Sequence, residues 1–439
     1  MNRSTPPSLN PVVLTGTLSP ETYRLDNGIE VYELSGGSTA MVKIDLLLPA
    51  GARFQPIPLC ALAANRLLTE GTAGYTSAEI SEKIDYHGAY LQGSADKDHA
   101  ALTLLSPLRH FEALLPLFAE VISEPAFPLH ELEIFREKQR QRYLIDQQKV
   151  RVLAHSGFSE AMFGPSHPYG YRLQLSDFSQ LTRDHLVDFH QQHYMKGGWR
   201  LVVSGQVDSS VRALLNRALG SVLFKDSGCS EKELPLLPMP VSSGFVPRDE
   251  AVQSALRLGR IVPGRSHPDY VGLTVLNTLL GGYFGSRLMQ NLREEKGYTY
   301  GIQSAIVSLV KSSYLVILSE VGSEVTRPAL EEITHEMVRL IDQETDEEEL
   351  GRVKNQMEAD MIRSLDGPFA KADLLASLLD HNLPLSSIES AMAEIRSITQ
   401  QRVRQLAQTY LSPSSFTRIV AGPSSANPGF PLLFEPLSH

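Results

Sequence analysis

Four short runs alternate apolar and polar side chains with the two-residue period of a half-buried strand: Ala40–Leu48, Ala100–Leu105, Ala255–Ile261 and Ser313–Ser319. Between them, apolar positions recur at helical spacing over 59–69, 77–87, 109–123, 184–194, 270–280, 327–342 and 369–380. Two longer, highly charged helices are predicted, from about Phe127 to Gln148 and from Thr345 to Ser364. Thr76 with Glu79, and Thr345 with Glu348, have the spacing of a capping box. In that motif hydroxyl and carboxylate meet the first unbonded amides of a helix.

The pattern is written twice. The β-branched run Arg200–Gly205 returns as Arg418–Gly422, each ended by glycine and each predicted as a strand. Upstream of each lies a threonine, a helical stretch and a tyrosine: Thr182 and Tyr194 in the first copy, Thr399 and Tyr410 in the second. Each copy reads strand, helix, helix, strands, helix, long helix, helix, strand. Helices are too many and strands too loosely alternated for a doubly wound parallel sheet. The class expected is therefore α+β, with two homologous domains, each a mainly antiparallel β-sheet packed with helices. Asp226–Gly244 is rich in proline and serine and carries little periodicity, which predicts a linker. The expected organisation is an N-terminal tail at 1–10, domains at 11–225 and 245–425 joined by 226–244, and a C-terminal tail at 426–439.

Composition narrows the function. At 439 residues the chain suits two domains of about 200 residues each. Hydrophobic residues make up 42% and charged residues 21%, a globular balance. Net charge is −10 and no lysine- or arginine-rich block occurs, so nucleic acid is not an expected partner. Cys60 and Cys229 form no disulfide framework and no C-x-x-C pair. No apolar run approaches the roughly 18 residues of a membrane span, so no membrane partner is expected. The start, Met1–Pro7, leads into polar and proline-rich sequence rather than an apolar signal core. A cytoplasmic location is expected, with a periplasmic one left open should an export signal have been removed.

The string Leu292-Arg293-Glu294-Glu295-Lys296-Gly297-Tyr298-Thr299-Tyr300-Gly301 resembles the substrate-gripping signature of the inverted-zincin metallopeptidases. These are the family of pitrilysin, insulysin and mitochondrial processing peptidase, and the resemblance runs from about Val12 to Gly422. It implies paired domains forming half of a clamshell. In that family an early helix carries H-x-x-E-H, two histidines binding zinc and a glutamate activating the metal-bound water. Counting back from Gly71-Thr72, which matches the pair that follows the motif, puts Leu62, Asn65 and Arg66 at its three positions. Leucine cannot ligate, asparagine is no base at neutral pH, and an arginine cation opposes a divalent metal. The family's third ligand, a glutamate, falls near Gln141 or Arg142, and no carboxylate occurs from Lys138 to Ile145. The chain is thus expected to hold no metal of its own. Asp184, His185, Asp188, His190 and His193 form the best substitute cluster, but a solvated helix face explains them better. His335–Arg339 and Asp96–His99 offer no second histidine ligand.

The resemblance implies that Arg293 and Tyr300, seven residues apart, reach in trans to a partner's zinc and bind the substrate carbonyl. A guanidinium and a phenol both donate, as a developing oxyanion requires. Tyr298 is the alternative phenol, at a spacing that does not match. Gly281–Arg287 lacks the order of a phosphate loop and is read as a glycine-rich helix end. His167–Gly170 resembles a family loop. The function expected is the non-catalytic subunit of a heterodimeric zinc metallopeptidase, with zinc in a homologous partner and peptides as substrates. A homodimer is not excluded at this stage. The alternative is a catalytically inactive structural or peptide-binding protein of the same fold.

Overall fold

The computed structural model describes residues 17–224 and 242–436. The expected N-terminal tail, most of the expected linker, Cys229 and residues 437–439 lie outside the described residues.

Among the described residues, eleven strands form two sheets. The first six are β1 (Glu21–Arg24), β2 (Glu30–Ser35), β3 (Met41–Leu48), β4 (Tyr90–Ala95), β5 (Ala100–Pro107) and β6 (Arg200–Gly205). The rest are β7 (Ser243–Pro247), β8 (Gln253–Val262), β9 (Ile302–Ser308), β10 (Ser313–Gly322) and β11 (Thr417–Gly422). The first sheet runs β1-β2-β6-β3-β5-β4 and the second β7-β11-β8-β10-β9. Leaving out β1, the two orders correspond strand for strand. Even the parallel pairs match: β2 with β6, and β7 with β11, while the other pairs are antiparallel. The fold is α+β, and the strands that repeat in sequence, β6 and β11, occupy the same place in each sheet.

Alternation sets which face of each sheet is buried. In β5 every second residue is buried, including Ala100, Leu102 and Leu104. On one side these meet the first repeat's own helices, through Phe111, Leu114 and Phe118 of the Leu108–Ser123 helix and Ala63 and Ala64 of the Cys60–Arg66 helix. The second repeat builds the same layer from Leu256, Leu258 and Ile317 against Leu273, Leu276 and Ile333.

The opposite face of each sheet is covered by the other repeat. The Val150–Phe163 helix of the first repeat lies on β8 and β11. Its Leu153 and Ala154 pack with Ala255 and Ala421, and its Phe158 and Met162 with Val316 and Ile419. Reciprocally, the Gly367–Asp380 helix of the second repeat lies on β6, β2 and β3, burying Ala372, Leu375 and Leu378 with Leu34, Leu47 and Val202. Gly259 makes the first approach possible: a Cβ there would lie 2.6 Å from the Phe158 ring.

Polar contacts also cross between repeats. Asp98 accepts from the Tyr169 hydroxyl at 2.5 Å and from the Val310 amide at 3.0 Å, and pairs with Arg53 at 3.0 Å. Asp96–His99 and the loop His167–Gly170 therefore join the β9–β10 turn to the first repeat. Lys43 reaches Asp373 at 2.6 Å.

Three local expectations are corrected. The cap of the Glu347–Arg363 helix is Asp346, whose carboxylate accepts from Glu348 and Glu349 amides, rather than Thr345. A carboxylate one residue later reaches the same orphan amides with more charge than a hydroxyl. The expected C-terminal tail is partly docked: Leu432 bridges Phe245, and Arg172 stacks over Phe434 at 4.0 Å. The strand β7 begins at Ser243, inside the segment read as linker. The Thr76–Glu79 capping box is formed as expected.

Candidate functional site

The string 292–301 folds by dividing its residues between anchors and projections. Leu292 is fully buried and Tyr298 packs on the second core, so both hold the segment down. A π-helical turn over Met289–Glu295 carries Arg293, and Gly297, at φ +66°, ends it in a left-handed conformation that a side chain would strain. The Tyr298 amide donates to the Leu292 carbonyl at 2.9 Å and closes the turn. Tyr298, the alternative phenol, is thus a core anchor.

Beyond the turn, hydroxyls pin the backbone. Thr299 Oγ1 donates to the carbonyls of Gly301 and Glu320 at 2.9 and 2.7 Å. Ser319 Oγ meets Thr299 Oγ1 and the Gly301 carbonyl, both at 3.0 Å. Between these fixed points Tyr300 is 95% exposed, its phenol in solvent beside the start of the edge strand β9. Arg293 is 35% exposed; its guanidinium lies 4.7 Å over the Phe284 ring and 3.5 Å from Glu294. Phe284 comes from the glycine-rich segment 281–287 and is itself 66% exposed. Gly281 gives that segment its close approach to β9, since a Cβ there would meet Ser304 at 2.8 Å. Two donors therefore project from a segment whose backbone is held by its neighbours. Thr299 and Ser319 were not legible as supports in the sequence, because the pair forms only when β10 returns alongside.

The degenerate metal motif lies on the Cys60–Arg66 helix. Leu62 is half-buried against the first core, Asn65 is 1% exposed and Arg66 is exposed. Asn65 Nδ2 donates to the Ala101 carbonyl and to the Tyr194 hydroxyl, both at 3.2 Å. Its Oδ1 lies against Gly93 of β4, where a Cβ would come within 2.4 Å. At the third-ligand positions, Gln141 donates to Glu137 at 2.7 Å, and Arg142 faces Asp146 at 3.7 Å. This donor set does not fit a zinc ion: one position has no lone pair, one amide is committed to the packing between helix and sheet, and one is a cation. Among the described residues, no group of three or more His, Cys, Asp or Glu is placed to hold a metal.

Asn65 has thus become a structural residue. Asn65→Ala should destabilise the fold by about 1–3 kcal/mol, the usual cost of stranding a buried polar partner, here the Tyr194 hydroxyl. Urea unfolding of the variant against the parent checks this, and an unchanged midpoint would count against the role.

The histidine cluster is not the solvated helix face expected from its sequence. His185 caps its own helix with Thr182, and His190 is buried, with Nε2 2.8 Å from the Ile122 carbonyl. His193 stacks on Phe189 and Phe54, and burial, with Lys196 adding repulsion, pushes its pKa down to about 4. The helix passes into a π-helical turn at His190–Tyr194, which rotates His190 inward and defeats a face count made at helical spacing. Cys60 is a buried free thiol, its pKa pushed up to about 12 by burial and then by Asp188.

A doubled sheet-and-helix architecture, with Leu62, Asn65 and Arg66 at the metal-motif positions of an early helix and Arg293 and Tyr300 projecting from the second repeat, defines a peptidase-type half-clamshell fold. Comparison with known proteins agrees on the fold. Residues 35–164 match the family described as insulinase (peptidase family M16), and residues 180–357 match the peptidase M16 inactive domain. The chain belongs to peptidase family M16. It is similar to an uncharacterized zinc protease of Mycobacterium tuberculosis, 23% identical over 97% of this chain and 98% of the relative. It is also similar to subunit beta of the mitochondrial-processing peptidase of Mus musculus, 24% identical over 96% of this chain and 88% of that one. Among solved structures, a peptidase M16 inactive domain from Pseudomonas fluorescens superposes with a TM-score of 0.85 at 25% identity, covering 92% of this chain and 98% of that one. A protease from Helicobacter pylori shares the fold, with a TM-score of 0.82 at 20% identity over 92% of this chain and 99% of that one. No helix among the described residues is long and apolar enough to cross a membrane.

Proposed function

We propose that this chain is the non-catalytic subunit of a heterodimeric zinc metallopeptidase. A homologous partner supplies H-x-x-E-H, the zinc and its water; this chain supplies Arg293, Tyr300 and half of the wall around the peptide. What supports the reading is Tyr300, a phenol 95% exposed on a backbone fixed by Thr299 and Ser319. Tyr194, by contrast, buries its ring fully and Tyr298 partly. A phenol and a guanidinium so held reach a carbonyl oxygen on a neighbouring chain without first being ordered. The edge strand β9 begins at Ile302, just past Tyr300. The compartment we propose is the cytoplasm, where the free thiol of Cys60 needs no oxidised partner.

The test is reconstitution. Mixed with an H-x-x-E-H chain encoded nearby, this protein should create peptidase activity that neither chain has alone. A stable pair without any gain in cleavage would favour the inactive, peptide-binding alternative.

A further inference from the structure

Beside Tyr300 the surface opens into a cleft of about 460 Å³ between the start of the Val150–Phe163 helix and the strands β8 and β10. Its charged lining is Arg151, Arg257 and Glu320, and Gln253 and the Tyr300 phenol add neutral polar groups. Arg257 stands on β8 opposite Leu318 of β10, on the face covered by the helix, whereas Arg151 is on the helix's outer side. Among the described residues neither guanidinium has a hydrogen bond or a close ion pair, and the carboxylate that Arg257 feels is that of Glu320. That is unusual for a half-buried arginine, whose desolvation is normally offset by a bound carboxylate or carbonyl. Burial, with Arg257 and Lys97 adding repulsion, also holds His155 of the same helix neutral, its pKa pushed down to about 4.

We propose that this cleft is a carboxylate subsite, in which Arg257 and Arg151 hold a carboxylate of the peptide presented at Tyr300. The inference rests on the peptide-presenting role proposed above and adds a substrate class to it. Charge selects the ligand. With Glu320 opposing the two guanidiniums, the lining carries one net positive charge, which a monoanionic carboxylate neutralises and a phosphate dianion exceeds. The planar fork of an arginine accepts a carboxylate through two parallel N–H···O bonds. Leu318 and Ala255 on the floor give an acidic side chain apolar surface for its methylenes.

The carboxylate can be an Asp or Glu side chain or a peptide's own C-terminus, and three dye-labelled peptides separate these. One carries a single Glu and an amidated C-terminus, the second Gln and an amidated C-terminus, and the third Gln with a free C-terminus. Fluorescence anisotropy with the isolated full chain should show one of the charged peptides binding about tenfold or more tighter than the neutral one. Which of the two it is names the source. Arg257→Gln should erase the preference, and so should Arg151→Gln, which changes only an exposed position and leaves the core intact. Equal binding of all three peptides, no binding by any, or a preference surviving in both variants would overturn the subsite. Cleavage by the reconstituted pair with no such preference would leave the proposed function standing and this inference refuted. A carboxylate preference in the isolated chain, with no activity in any pair, would do the reverse.

Discussion

Tyr300→Phe in the assembled pair should lower kcat by about a hundred- to a thousand-fold, and Arg293→Ala by a similar factor. The size follows from the proposed role: a donor aimed at charge that appears only as the carbonyl is attacked. Because the interaction strengthens in the transition state, kcat and kcat/KM should fall together while KM moves little. Assembly should survive both changes. Tyr300 has no buried contact to lose, and the backbone on either side is held by Thr299 and Ser319. Steady-state kinetics of the pair, alongside size-exclusion chromatography of each variant, gives the answer. Unchanged turnover in both variants would return the chain to a purely binding role.

Phe158→Ala should destabilise the protein by about 3–5 kcal/mol, and Leu375→Ala by about 2–5 kcal/mol. Both side chains are essentially inaccessible, and each belongs to one repeat while packing on the sheet of the other. Phe158 fills the space above Gly259, so its loss leaves a hole that β8 cannot close without bending toward the helix. The informative readout is where the damage appears. Urea unfolding should remain one transition, shifted as a whole, because neither sheet keeps its second face when the repeats part. Hydrogen exchange should rise in β8 and β11 for Phe158→Ala, and in β2, β3 and β6 for Leu375→Ala. Protection lost only in the repeat that carries the substitution would contradict the reciprocal packing.

The central strands were legible either from alternation, as in β5, or as short β-branched runs buried on both faces, as in β6 and β11. Ala100–Leu105 and Ser313–Ser319 sit inside β5 and β10, and the Arg200 and Arg418 runs are β6 and β11. The edge strands were not delimited. β4 contains Gly93 and Ser94 and β9 contains Gln303 and Ser304, small and polar residues that read as loop when one side of a strand has no neighbour. The Val150–Phe163 helix was also missed as an element. Sandwiched between a sheet and the rest of the chain, it is apolar on several sides, and Gly157 and two β-branched valines blur its period. Of the candidate site, the spacing of Arg293 and Tyr300 and the wrong chemistry at 62, 65 and 66 were visible directly, since they depend on residue type alone. The supports were not. Asn65 with Tyr194, Thr299 with Ser319 and Asp98 with Val310 each join segments that only the fold brings together.

The Asp98 junction has a consequence for how the proposed pair would admit a peptide. The tip of the hairpin that follows Tyr300 is tethered through Val310 to the opposite repeat, and each repeat lends a helix to its twin. Among the described residues the two repeats are therefore laced into one jaw, with no hinge between them. Any gape that lets a peptide in has to occur where this jaw meets its counterpart.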